Sequence, residues 1–213
     1  RCAYNRKSSV TGGILMSKCR NSKLITVILL TASILFAGNS LAAVNKTFTI
    51  SKKIEISDKR ILTLTFKGLI FGETATGGYR NIEVHEGNKK QIQTINIAEV
   101  NSFGDETTTS PEPGTGSDII IEDMDFDGIN DFRIIAMLPP GPNIPYICFL
   151  WDKKSGKFIH ADFLDDITSP EFDSKAKTVT SSSRESANKY RKDVYKYSGK
   201  KLVLVKSIVK TYQ

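Results

Sequence analysis

Apolar and polar residues alternate along much of the chain with the period of two that a half-buried strand requires. The run RILTLTF at 60–66 is the cleanest case. Segments 81–84 and 91–97 repeat the pattern on either side of Glu86-Gly87-Asn88, which predicts a hairpin. A second hairpin is expected from 146–151 and 157–160 around DKKSG, and a third from 190–197 and 201–209 around SGK. No long window shows helical periodicity. The pattern therefore predicts an all-β domain, a β-propeller-like arrangement or a meander of antiparallel hairpins. Two stretches break it. GDETTTSPEPGTGS at 104–117 and LPPGPNIP at 138–145 are too rich in Pro, Gly and Thr for strand interiors and read as exposed loops.

The first 43 residues follow another logic. From Met16, a basic stretch (Lys18, Arg20, Lys23) leads into an apolar stretch of fifteen residues, LITVILLTASILFAG, and then Ser40-Leu41-Ala42 with its small residues. That is the order of a secretory signal peptide cleaved near Ala42 or Ala43, and the apolar run is shorter than the roughly 20 residues a spanning helix needs. The expected organisation is upstream sequence or an early start over 1–15, a signal peptide over 16–43, and one β-rich domain over 44–213 in the periplasm or outside the cell. No transmembrane segment is expected after cleavage.

Taking that leader away changes the charge picture. The chain carries a formal +7, but residues 1–43 hold six basic residues and no acidic one. The remaining part has 24 basic and 23 acidic side chains, so its balance gives no reason to expect nucleic acid as a partner. Within it the charge is uneven, with eleven basic and two acidic residues over 174–213. Lysines alternating with apolar residues there fit edge strands guarded by charge, or a cationic surface for an acidic partner. Cys148 is the lone cysteine after residue 43, which excludes an internal disulfide, and Cys19 precedes the apolar run, so no lipid anchor is expected.

One motif carries chemistry. Asp123-Met124-Asp125-Phe126-Asp127-Gly128-Ile129-Asn130-Asp131 reads D-x-D-x-D-G-x-x-D. Calcium takes six to eight oxygen ligands, and a tightly curled loop brings carboxylates at alternate positions to one point. Asp123, Asp125 and Asp127 are the candidate first ligands, Gly128 the turn, the Ile129 carbonyl a further ligand and Asp131 the last. Carboxylates this close repel one another without a cation. Ile134 occupies the place of the bidentate Glu of a complete EF-hand, and the flanks read as strands, so the expectation is one calcium loop set between strands. No catalytic pattern accompanies it. His85 and His160 stand on expected strands outside any zinc-like or triad-like spacing, Cys148 lies in an apolar run, and an enzyme is not expected.

The loop at 118–132, together with NIPY at 143–146, FLW at 149–151 and YKYSGKKL at 195–202, resembles a family of periplasmic immunity proteins. The resemblance covers roughly 60–210. It implies a propeller-like β protein with one EF-hand-like calcium loop. It also implies a protein partner, a lysozyme-like peptidoglycan hydrolase delivered by an antibacterial type IV secretion system. Members are often lipoproteins, whereas this chain lacks the lipidated cysteine. The calcium motif is shared with FG-GAP and VCBS repeats, which leaves a calcium-stabilised adhesion or scaffold module as the alternative. An inhibitor needs a projecting segment. TGGYR at 76–80 is the first candidate, with Tyr79 and Arg80 as anchors, and 142–146 with Tyr146 the second. Either segment could instead be a hairpin turn with one buried tyrosine.

Overall fold

The alternation becomes a succession of antiparallel meanders. The computed structural model describes residues 46–57, 60–72, 76–87, 90–103 and 107–212, all within one compact unit spanning 41–213. The signal peptide and the stretch before it lie outside the described residues. Sheet one contains β1 (Lys46–Ser57), β2 (Arg60–Ile70), β3 (Gly77–Glu86) and β4 (Lys90–Asn96). Sheet two contains β5 (Ile119–Glu122), β6 (Asp131–Ile135), β7 (Tyr146–Asp152) and β8 (Lys157–His160), and sheet three contains β9 (Pro170–Asp173), β10 (Thr178–Arg184), β11 (Lys189–Ser198) and β12 (Lys201–Thr211). In each sheet the spatial order is the chain order, so every connection is local. The all-β expectation holds in its meander form. The described residues form three sheets, fewer than the four or more blades of a closed propeller. Two single-turn helices, α1 (Ile97–Val100) and α2 (Asp162–Asp165), complete the described elements.

Sheet two is the middle of the packing, which explains why YICFLW in β7 is a continuous apolar run rather than an alternating one. Strands covered on both faces lose the alternation. One face contributes Phe132, Ile134, Ile147, Phe149 and Trp151 to a core shared with Leu62, Leu64, Phe66, Ile82 and Val84 of sheet one. Phe132 stacks on Phe149 at 4.7 Å and meets Phe66 edge-on at 5.8 Å. The opposite face contributes Cys148 to a second cluster with Met124, Leu164, Ile167 and Val179 of sheet three.

Arg133 faces this second cluster and joins the sheets. Its side chain is almost wholly buried, pairs with Glu122 at 2.7 Å and donates to the Pro170 carbonyl at 2.9 Å. The guanidinium carbon lies 4.4 Å from the centre of the Tyr146 ring and 5.3 Å from that of Phe172. No described helix is long and apolar enough to cross a membrane.

Candidate functional site

The acidic loop joins β5 to β6, as the flanking patterns predict. Two residues with left-handed backbone curl it: Gly128 at φ 85° and Phe126 at φ 62°. Gly128 has open space around it, so its conformation rather than crowding calls for glycine. Phe126 is a non-glycine in a strained region, and its ring packs edge-on against Tyr197 of β11 at 5.9 Å. The curl is held from inside by carboxylates. Asp123 accepts from the amides of Asp127 at 3.1 Å and Gly128 at 2.9 Å, and Asp125 accepts from Asp127 at 3.2 Å.

Three of the five predicted ligands converge. Oxygens of Asp123, Asp125 and Asp131 all lie within 4.8 Å of one another. Asp131 is 1 % exposed, and its two oxygens accept from the amides of Met124 at 2.9 Å and Trp151 at 2.8 Å. Burial pushes its carboxyl up to about 7; the two amides oppose this, and Asp125 and Asp123 add to the rise. Asp125 is raised as well, by burial first and then by Asp127 and Asp123. A divalent cation among these oxygens would relieve both desolvation and repulsion, and an all-oxygen donor set suits a hard cation. Asp127 points elsewhere. Its Oδ1 accepts from the Ile129 amide at 2.9 Å and its Oδ2 meets Lys153 at 2.9 Å. The Ile129 side chain packs on the core shared by sheets one and two.

Two residues outside the motif finish the site. Tyr197 donates from its hydroxyl to the Met124 carbonyl at 3.1 Å, so sheet three clamps the loop. Lys153 stands over Asp127 from the β7–β8 turn. Neither is legible in the motif, although YKYSGKKL attracts notice for other reasons.

Tyr79 requires a correction. The segment 76–80 is not a projecting loop, because Gly77 begins β3 and Tyr79 is 0 % exposed. Its ring packs on Phe48 and Phe66, and its hydroxyl donates to the buried Asp118 carboxylate at 2.6 Å. The glycines serve close approach rather than freedom. A Cβ on Gly78 would fall 1.7 Å from the Thr108 carbonyl oxygen, where the segment around Thr108 runs antiparallel beside the start of β3 and bonds to its backbone. Arg80 is exposed and sits at the register shift between β2 and β3. Tyr146 is half-buried beneath Arg133, and the loop before it is fastened to sheet three. Asn143 exchanges two hydrogen bonds with the Arg184 backbone, at 2.9 and 2.7 Å.

The histidines are both near carboxylates. His85 lies 3.4 Å from Glu83, and His160 Nε2 lies 2.8 Å from Asp165 Oδ2. The Ser102 hydroxyl approaches that same Asp165 oxygen at 3.5 Å. A serine that meets the carboxylate rather than the imidazole is not arranged for deprotonation by the histidine. Cys148 is fully buried and its thiol is pushed up by burial, opposite to the activation of a nucleophile.

Burial also raises the phenols of Tyr79 and Tyr197 beyond the ordinary tyrosine range. The unfolded chain therefore ionises first. Their contribution is complete below about pH 10 and is lost as pH rises beyond it, and Cys148 acts in the same direction. Urea melts taken at increasing alkaline pH should show stability falling, with a shallower fall in Tyr197→Phe. At neutral pH that variant should lose about 1 kcal/mol for the missing bond to Met124.

No protein-family model and no curated protein matches the chain. A solved structure described as a Xanthomonas type IV secretion system related protein matches with a TM-score of 0.50 and 16 % identity. The match covers 76 % of this chain and 82 % of that one. The likeness is one of fold.

Proposed function

We propose that this chain is an exported, calcium-stiffened β scaffold that binds and inhibits a lysozyme-like peptidoglycan hydrolase, as an immunity protein against antibacterial type IV secretion. The observation that carries the reading is the fold shared with a Xanthomonas protein related to type IV secretion. Three tightly connected sheets offer a rigid surface, and a rigid surface loses little entropy on binding.

Within this proposal, calcium is held by Asp123, Asp125 and Asp131, with the Ile129 carbonyl as a further ligand and Asp127 joining them only on turning away from Lys153. Lys153 then competes with the metal for Asp127. Lys153→Met should tighten calcium binding about twofold to fivefold, because it removes a partly screened positive charge beside the site. Calorimetric titration of wild type and variant measures this directly. Weaker binding in the variant would mean that Lys153 orders the loop instead.

The partner part is tested by titrating the protein against a panel of lysozyme-like hydrolases, including any encoded beside its gene. The expected result is a saturable complex with at least one, insensitive to Tyr79→Phe because that side chain is internal. Binding to none rejects the inhibitor role. The adhesion-module alternative predicts that outcome together with intact calcium binding.

A further inference from the structure

We infer that the outer edge of β12 is a docking site for an extended acidic polypeptide segment, which adds to sheet three as a further strand. This goes beyond the hydrolase reading and does not depend on it.

β12 is the last strand of its sheet, and no described strand pairs with the edge turned away from β11. It is eleven residues long, longer than an ordinary edge. Proteins protect such edges by keeping them short or interrupting them with charge. β12 keeps part of that protection in Lys201, Lys206, Lys210 and the bulge at Val205, but its centre is apolar. Leu202-Val203-Leu204-Val205 runs without a polar residue, and Val203, Leu204 and Val205 are 48 %, 49 % and 52 % exposed. Val205 is the extra residue at the register shift between Val194 and Tyr195. Open main-chain donors and acceptors beside exposed apolar side chains are what strand addition recognises.

Charge selects the class of segment. The register sets Lys192 opposite Ile208, Tyr190 opposite Lys210 and Lys196 opposite Val203. With alternation along each strand, Lys192, Lys196, Lys201, Lys206 and Lys210 then share one face of the ribbon. All five are exposed, and none has an ion pair with a described residue. The acids of this hairpin region are engaged: Glu185 pairs with Lys189 and Arg191, and Asp193 accepts from Ser207. At one end the face deepens into a groove of about 420 Å³ whose lining includes Arg184, Tyr190, Lys192, Ile208, Lys210 and Tyr212, and no acidic residue. A strand added at β12 would place alternate side chains on this side of the sheet, next to Lys201, Lys206 and Lys210, where Asp or Glu is complementary.

A second copy is the wrong occupant. Two β12 edges paired antiparallel about Lys206 set that lysine against itself, and like charges directly opposite destabilise a sheet. A free anionic polymer would use the lysines but leave the main-chain edge unused.

The test uses a synthetic peptide of roughly nine residues alternating Glu and Val, an ordinary strand length. Its control has equal charge with Pro at alternate positions, which removes backbone donors. The expected result is salt-sensitive binding of the first peptide only, with slowed amide exchange along β12. Lys206→Glu/Lys210→Glu should weaken it at least about tenfold while leaving the melting temperature unchanged. Equal binding of the Pro peptide would overturn the inference in favour of simple charge attraction. No binding at low salt, unchanged affinity in the charge-reversed variant, or concentration-dependent dimerisation through β12 would each overturn it as well.

Discussion

Calcium should raise the melting temperature of this protein by about 5–10 °C, and Asp123→Ala/Asp125→Ala should abolish that rise. A ligand that binds only the native state stabilises it by about 2.7 kcal/mol at a hundredfold excess over its dissociation constant. For a domain of this size each kcal/mol is worth about 2–4 °C. The native state alone gathers Asp123, Asp125 and Asp131, so the linkage is strong. Alanine at position 123 also removes the acceptor for the Asp127 and Gly128 amides, which lowers stability without metal. Asp125→Asn separates the two effects, because it keeps an acceptor and removes a ligand charge. Calorimetric scans with calcium and with chelator measure both. A wild-type melting temperature indifferent to chelator would reduce the loop to an acidic turn.

The second large effect belongs to Arg133, a residue without a recognisable motif. Arg133→Met should cost about 3 kcal/mol, or about 6–12 °C. The loss comes from what the guanidinium leaves behind: Glu122 without its partner at 2.7 Å and the buried Pro170 carbonyl without its donor. Arg133→Lys should recover only part, since an ammonium cannot reach Glu122 and Pro170 as a fork while lying over Tyr146. Glu122→Met/Arg133→Met should be more stable than Arg133→Met alone, because a partly buried carboxylate left without its partner costs more than an apolar replacement of the pair. Urea denaturation gives all four values. A Met variant within about 1 kcal/mol of wild type would show that the sheets join without this contact.

The sequence makes the strands of sheet two and the β3–β4 and β11–β12 hairpins readable, because alternation or a continuous apolar run is bounded there by turn residues. It hides β1, where Lys52 interrupts the apolar positions, and β9 and β10, which carry few apolar residues. Those two persist because Val179 is buried against the second cluster and β10 is paired on both sides. The loop motif identifies Asp123, Asp125 and Asp131 because their convergence is a property of local spacing. Tyr197, Lys153 and Arg133 are brought to their places by chain separations that no local pattern encodes. Tyr79 shows the limit most clearly. Gly-Gly beside Tyr-Arg reads as a projecting loop or as a turn with one buried tyrosine, and it is the segment around Thr108, paired alongside β3, that makes it a strand.

The proposed inhibition of a cell-wall hydrolase by a calcium-stiffened scaffold is measured most directly by clearance of a peptidoglycan suspension by such enzymes. The protein in calcium should slow clearance by at least one lysozyme-like hydrolase in stoichiometric fashion. The same protein in chelator, or Asp123→Ala/Asp125→Ala in calcium, should inhibit less, because loosening the loop makes the surface more costly to order. Undiminished clearance by every hydrolase tested, at protein concentrations well above those of the enzymes, would contradict the account.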